Sequence, residues 1–173
     1  MRPNLVPTAL LFGLLSMTLV SAPMPLFAAP PADCTTDGDN AQISTWRLIV
    51  AQTSNTTDHS VISAGYHTMY NTAYYFQRCA GNFQITSDSY AFDKENQARA
   101  ILFTATLIIK LGSDAPNLIN FGSNDYRTWP TELRKIARDI LKALLDGTLT
   151  PTRRAAVEIA YNDVNALLGS GGR

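Results

Sequence analysis

The chain has 173 residues, with Lys+Arg and Asp+Glu balanced at 14 each. A chain of this length supports one domain with a core of its own, and a balanced charge gives no global pull toward nucleic acid or anionic lipid. Only two histidines are present, and there is no HExxH, GxSxG or CxxC pattern, so neither a metallohydrolase nor a serine hydrolase is expected.

The N-terminus reads as an export signal. Arg2 provides a positive start, the run Ala9 to Leu15 continues apolar to Leu19-Val20, and a small-residue, proline-rich stretch follows from Ser21 to Pro30. That order is the secretory pattern. The uninterrupted apolar run falls short of the roughly 20 residues a spanning helix needs, and Pro7, Pro23 and Pro25 break it further. Cleavage after Ala28 avoids proline at the first mature position, which a cut after Ala22 or Ala29 would create. Residues 1–28 are therefore the expected signal peptide, and residues 29–173 (173 − 28 = 145 residues) the expected helical domain. Cys34 follows Pro31-Ala32-Asp33 rather than a small-residue lipobox, so no lipid anchor is expected.

Both cysteines, Cys34 and Cys79, lie in the mature region. Two cysteines in an oxidising compartment predict one disulfide, closing a loop of about 46 residues.

A polar, acidic lead from Asp33 to Asn40 precedes the first predicted helix. Asp39 or Asn40 is its expected cap, and Ile43, Trp46, Ile49 and Val50 recur at helical spacing over 41–52. The polar run 53–57 ends it. Asp58 or Ser60 caps the second helix, whose seam is Ile62, Tyr66, Met69, Ala73, Phe76 and Ala80. Gly65 weakens this helix but admits a close neighbour. Gly81-Asn82 ends it.

Residues 83–90 read as a loop. A third helix is predicted from Asp93 to Gly112, with Ala98, Ile101, Leu102, Ala105, Ile108 and Ile109 on its buried face. It is apolar almost all round, as a central helix would be. The longest loop is 112–128. The fourth helix starts near Trp129-Pro130, with Leu133, Ile136, Ala137, Ile140, Leu141 and Leu144 facing inward. Thr150-Pro151 begins the fifth, which buries Val157, Ala160, Tyr161, Val164, Leu167 and Leu168 and stops at Gly169. The expected fold is an all-α, single-domain bundle of four to five helices with one disulfide.

On the second helix His67, Tyr70, Asn71, Tyr74 and Arg78 share one face beside the apolar seam. Tyrosine and arginine are enriched in interface hot spots, which makes this a candidate protein-binding face. A histidine among tyrosines also suits a small ligand, haem included. The plainest alternative is an amphipathic rim whose hydroxyls meet water. Tyr126 and Arg127, with Asn124 and Asp125 in the long loop, form a second candidate cluster.

Other patterns carry less. Asp33-x-Thr35-x-Asp37-Gly38 resembles the start of a calcium loop, but Ser44 holds the twelfth position where a bidentate Glu is needed, so a turn and cap are expected. Asp58-His59-Ser60 contains triad residue types, yet neighbours in sequence cannot adopt triad geometry. Arg134, Lys135, Arg138, Lys142, Arg153 and Arg154 interleave with Asp139, Asp146 and Glu158 and read as a solvated, salt-bridged face. Asn55-Thr56-Thr57 is a glycosylation acceptor that matters only in a eukaryotic host and is expected to be unused.

The reading that follows is a periplasmic or secreted helical binding protein acting on another protein, for example of an inhibitor or immunity type. It needs no cofactor, binds no nucleic acid and keeps no stable membrane insertion after cleavage. Two alternatives stand beside it: a haem-type carrier using the His67/Tyr70 face, and a carboxylate enzyme built on Asp93/Glu95 or Asp125.

Overall fold

The computed structural model describes residues 34–122 and 124–169; the proposed signal peptide and the last four residues lie outside them. Among the described residues the chain is all helical, with five long helices and no strand. They are α1 (Thr36–Ser54), α2 (His59–Ala80), α3 (Asp88–Leu111), α5 (Trp129–Leu145) and α6 (Pro151–Gly169). A single-turn helix α4 (Ala115–Leu118) lies in the 112–128 segment, preceded by a 3-10 turn at Gly112–Asp114.

Capping explains most boundaries. The Thr35 hydroxyl accepts from the Gly38 amide, so α1 begins at Thr36 rather than at 41. Ser87 Oγ accepts from the Tyr90 amide, so α3 begins at Asp88 rather than at 93. In both cases the polar residues that read as a lead are the first helical turn, where unpaired N–H groups favour Ser, Thr and Asp. Asp58 caps α2, accepting from Ser60 N at 2.8 Å and from Ser60 Oγ at 2.7 Å. Because Thr36 and Asp37 are helical, the calcium-loop pattern is a cap and a first turn.

Central position belongs to α3. It packs against α2 on one side, α5 on the other, and also touches α6, while α1 lies on the outer side of α2. Ile62, Met69, Leu107, Ile108, Leu141, Val157 and Val164 fill the main core across α2, α3, α5 and α6. A smaller cluster of Tyr75, Phe76, Cys79, Ile43 and Phe92 surrounds the Cys34–Cys79 disulfide, which spans a sequence separation of 45 and ties the start of α1 to the end of α2. Three side chains expected to face inward do not: Ile109 is 50% exposed, Ile136 42% and Leu167 39%. Ile136 instead lines open grooves beside α2 and α3.

Close approach at Gly65 sets the α1–α2 contact. A Cβ there would meet Thr53 Cγ2 at 2.8 Å and Ile49 Cγ2 at 3.2 Å, so only glycine lets α1 settle. The last turn of α1 has no basic residue of its own. Lys110 of α3 supplies one, donating to the Thr53 carbonyl and to the Ser54 carbonyl at 2.8 Å and satisfying carbonyls the helix leaves open. Arg154 does the same after α5, reaching the Leu145 and Gly147 carbonyls at 3.1 Å each.

Candidate functional site

The α2 stripe lies outside the core. His67, Tyr70, Asn71 and Arg78 are exposed and Tyr74 is half-buried, while Tyr66 and Met69, on the seam side, are buried. Tyr66 supports the stripe from below. Its ring stacks on Tyr70 with centroids 6.2 Å apart, meets His67 edge-on at 5.2 Å, and touches Phe121 of the long loop at 6.3 Å. Burial, with the neighbouring Tyr70 phenol adding to it, pushes the Tyr66 hydroxyl up to about 12. Tyr66 therefore stays neutral, a packing residue rather than an acid or base. The Arg78 guanidinium lies 5.9 Å from the Tyr74 ring centroid, within cation–π range.

Tyr70 and Tyr74 also form one wall of a groove of about 180 Å³. Its floor is Gln97, Ile101 and Thr104 of α3, and its far wall is Trp129, Leu133 and Ile136 of α5. The exposed edge of Ile136 is thus part of an apolar surface shared with two tyrosines and a tryptophan. Sequence spacing cannot reveal this, because the walls come from helices separated by more than 50 positions; the one local signal is the tryptophan at the start of α5. His67 does not line this groove, so a ligand seated there meets no imidazole.

Tyr126 and Arg127 pair with each other. Arg127 Nε donates to the Tyr126 hydroxyl at 3.2 Å, and its guanidinium lies 5.4 Å from that ring. Asp125 accepts from the Arg127 amide at 2.9 Å. These residues border a shallow cleft of about 510 Å³ running from Pro116 to Tyr126. The loop adjoins the α2 stripe through the Tyr66–Phe121 contact, and Trp129 carries it to the groove.

Two carboxylates weighed for chemistry are interior instead. Asp93 is 1% and Glu95 5% exposed, and neither lines the grooves described above. Glu95 accepts from Arg99 Nε at 2.9 Å and from Arg153 Nη1 at 2.9 Å. Asp93 has no cation of that kind, and its Oδ2 is buried without a hydrogen bond. Burial, reinforced by the nearby Asp39 carboxylate and opposed by Lys94, pushes its carboxyl up to about 7. Asp39 is raised as well, by burial, although the Tyr75 hydroxyl donates to its Oδ1 at 3.2 Å and pulls it back.

Of the basic cluster, Lys135, Arg138 and Lys142 form exposed ion pairs with Glu132, Asp139 and Asp146 at 2.7–2.8 Å. Arg153 leaves that surface and joins α6 to α3. His59, next to the Asp58 cap, meets Asp114 across the fold, Nδ1 to Oδ2 at 2.7 Å. Among the described residues no group of three or more metal-ligating side chains converges, and no helix is long and apolar enough to cross a membrane. Comparison with protein-family models, curated proteins and solved structures returned no match.

Proposed function

We propose that this chain is exported, loses residues 1–28, and acts in the periplasm or outside the cell by binding another protein through the outer face of α2. The carrying observation is the pairing of Tyr70 and Tyr74 with Trp129 and Ile136 around an open groove. Large aromatic side chains around a concave apolar strip, with Arg78, His67 and Asn71 as a polar border, match the composition of an interface centre and its rim. The rigid helices beneath keep the entropic cost of docking low. The export half of the reading is supported by the signal pattern of residues 1–28 and by the disulfide, which persists in oxidising compartments.

Site-specific photo-crosslinking in the native host tests the binding half. A photoreactive residue at position 67 or 74 is expected to give one discrete adduct, while the same residue at Leu48 or Ile159, both exposed on other helices, gives none. Equal labelling at all four positions, or none at 67 and 74, refutes the assignment. Intact-mass analysis of the exported protein is expected to place the mature N-terminus at Ala29; retention of residues 1–28 in exported protein refutes the cleavage.

A further inference from the structure

A second groove, of about 470 Å³, runs along the seam between the start of α3 and the end of α5. Ile85, Ile136, Ile140, Leu144 and Leu149 make it apolar. Ile85, in the turn before α3, is 76% exposed and carries the apolar lining out to the groove's rim. The volume falls in the range of small-molecule sites.

Its polar groups are unequally matched. Asp139 lines the groove, but Arg138 already holds its Oδ1 through Nε at 2.9 Å and Nη2 at 2.7 Å. Lys94 lines the groove half-buried and reaches only a neutral group, its Nζ donating to Gln97 Oε1 at 3.0 Å. Among the described residues no carboxylate lies within ion-pair distance of it. The Tyr90 ring is 5.9 Å from the ammonium, and the Tyr90 hydroxyl makes no hydrogen bond among the described residues. Burial pulls the Lys94 ammonium below its usual range, partly offset by the Asp93 carboxylate, which is the response of a cation short of a counter-ion.

We propose that this groove binds a small amphipathic carboxylate, with its tail against the apolar side chains of α5 and its carboxylate on Lys94 Nζ and the Tyr90 hydroxyl. A carboxylate there supplies the missing counter-ion in a half-buried setting, where a charge-assisted hydrogen bond is strongest. A tail covers Ile85, Ile136 and Ile140 together. The inference is independent of the protein-binding reading of α2, although Ile136 borders both grooves.

Titration calorimetry of the exported, disulfide-bonded protein with dodecanoate, dodecanol and dodecyltrimethylammonium tests it. Dodecanoate is expected to bind one to one, and the other two at least roughly tenfold more weakly, the scale of one charge-assisted contact. Lys94→Met should cut dodecanoate affinity by roughly tenfold and leave dodecanol unchanged, while Lys94→Arg keeps most of the preference. Ala143→Trp, at an exposed lining position, fills the groove without touching the core and should weaken dodecanoate and dodecanol alike. The proposal is overturned if dodecanoate fails to bind, if wild type does not distinguish it from dodecanol, if Lys94→Met keeps the preference, or if Ala143→Trp leaves both affinities unchanged.

Discussion

Two faces of α3 bury carboxyl groups two residues apart and treat them in opposite ways. Toward α6, Glu95 lies between Arg99 and Arg153, and Arg153 continues to Asp88 Oδ2 at 3.2 Å while its guanidinium covers the Phe92 ring at 5.0 Å. Toward α1 and α2, Asp93 faces Asp39 and the neighbourhood of the disulfide, and among the described residues no guanidinium pairs with it. Removing a carboxylate from water costs several kcal/mol unless a cation or a proton neutralises it. The first face uses a cation and the second a proton. At this end of the bundle one face of α3 is therefore held by ions, and the other lies by a covalent bond and a carboxyl whose protonation burial favours.

The covalent staple is the stronger of the two. Cys34→Ser or Cys79→Ser should lower stability by about 2–4 kcal/mol, the effect of opening a loop of this length. The two single variants and the double variant should unfold at the same denaturant midpoint, because each opens the same loop. Midpoints that differ between the single variants, or two free thiols on titration of unfolded, unreduced protein, contradict it.

The ionic staple comes next. Arg153→Met should cost about 2–3 kcal/mol, less than the 3–5 of a fully stranded buried charge, because Arg99 still holds Glu95. Adding Glu95→Gln to that variant should recover part of the loss, so a double-mutant cycle is expected to give a coupling of about 1 kcal/mol or more. Additive effects would mean that the two residues pack independently.

The two faces should also respond to pH with opposite sign. The Asp93 carboxyl titrates near 7 in the folded chain against a reference of 3.8, so the folded state holds its proton more tightly. Its contribution to stability is complete below the reference value and declines as pH rises from about 4 to 7. Asp88 is shifted the other way, held low by the Arg153 hydrogen bond. Its contribution is present above 3.8 and is lost as pH falls through its lowered folded value. Asp93→Asn should therefore gain on the order of 2 kcal/mol at pH 8 and flatten the decline between pH 4 and 7. A variant equally stable at pH 8, with the decline unchanged, removes Asp93 as its source.

The contrast between the faces shows what sequence reasoning can and cannot reach. The seams of α2 and α5 were legible because their apolar residues recur at helical spacing and their ends carry Asp58, Gly81 and Pro130 as local signals. The starts of α1 and α3 were not, because Thr36–Asn40 and Asp88–Ser89 are polar, and a polar first turn has the composition of a loop. The run Asp93, Glu95, Asn96 and Gln97 is polar, and no apolar periodicity marks it as interior, yet it is buried. Its burial is made tolerable by Arg99 one turn on, by Arg153 arriving from 58 positions away, and by the raised proton affinity of Asp93. The α2 stripe was legible as a face, since that is helical periodicity, but the groove beside it required α5 to bring Trp129 and Ile136 across α3.

The proposed binding function rests on that stripe, and one paired measurement bears on it most directly. Tyr70→Ala and Tyr74→Ala, each scored for stability and for affinity toward the partner captured at position 74, separate a binding face from a packing one. Tyr70 is 44% exposed and Tyr74 half-buried, so each variant should shift unfolding free energy by less than about 1 kcal/mol. Affinity should fall by about 1 kcal/mol or more. Met69→Ala, at a fully buried neighbour, should do the reverse and cost about 2–5 kcal/mol of stability. If Tyr70→Ala and Tyr74→Ala unfold the protein, or leave the partner's affinity unchanged, the outer face of α2 is not where this protein binds.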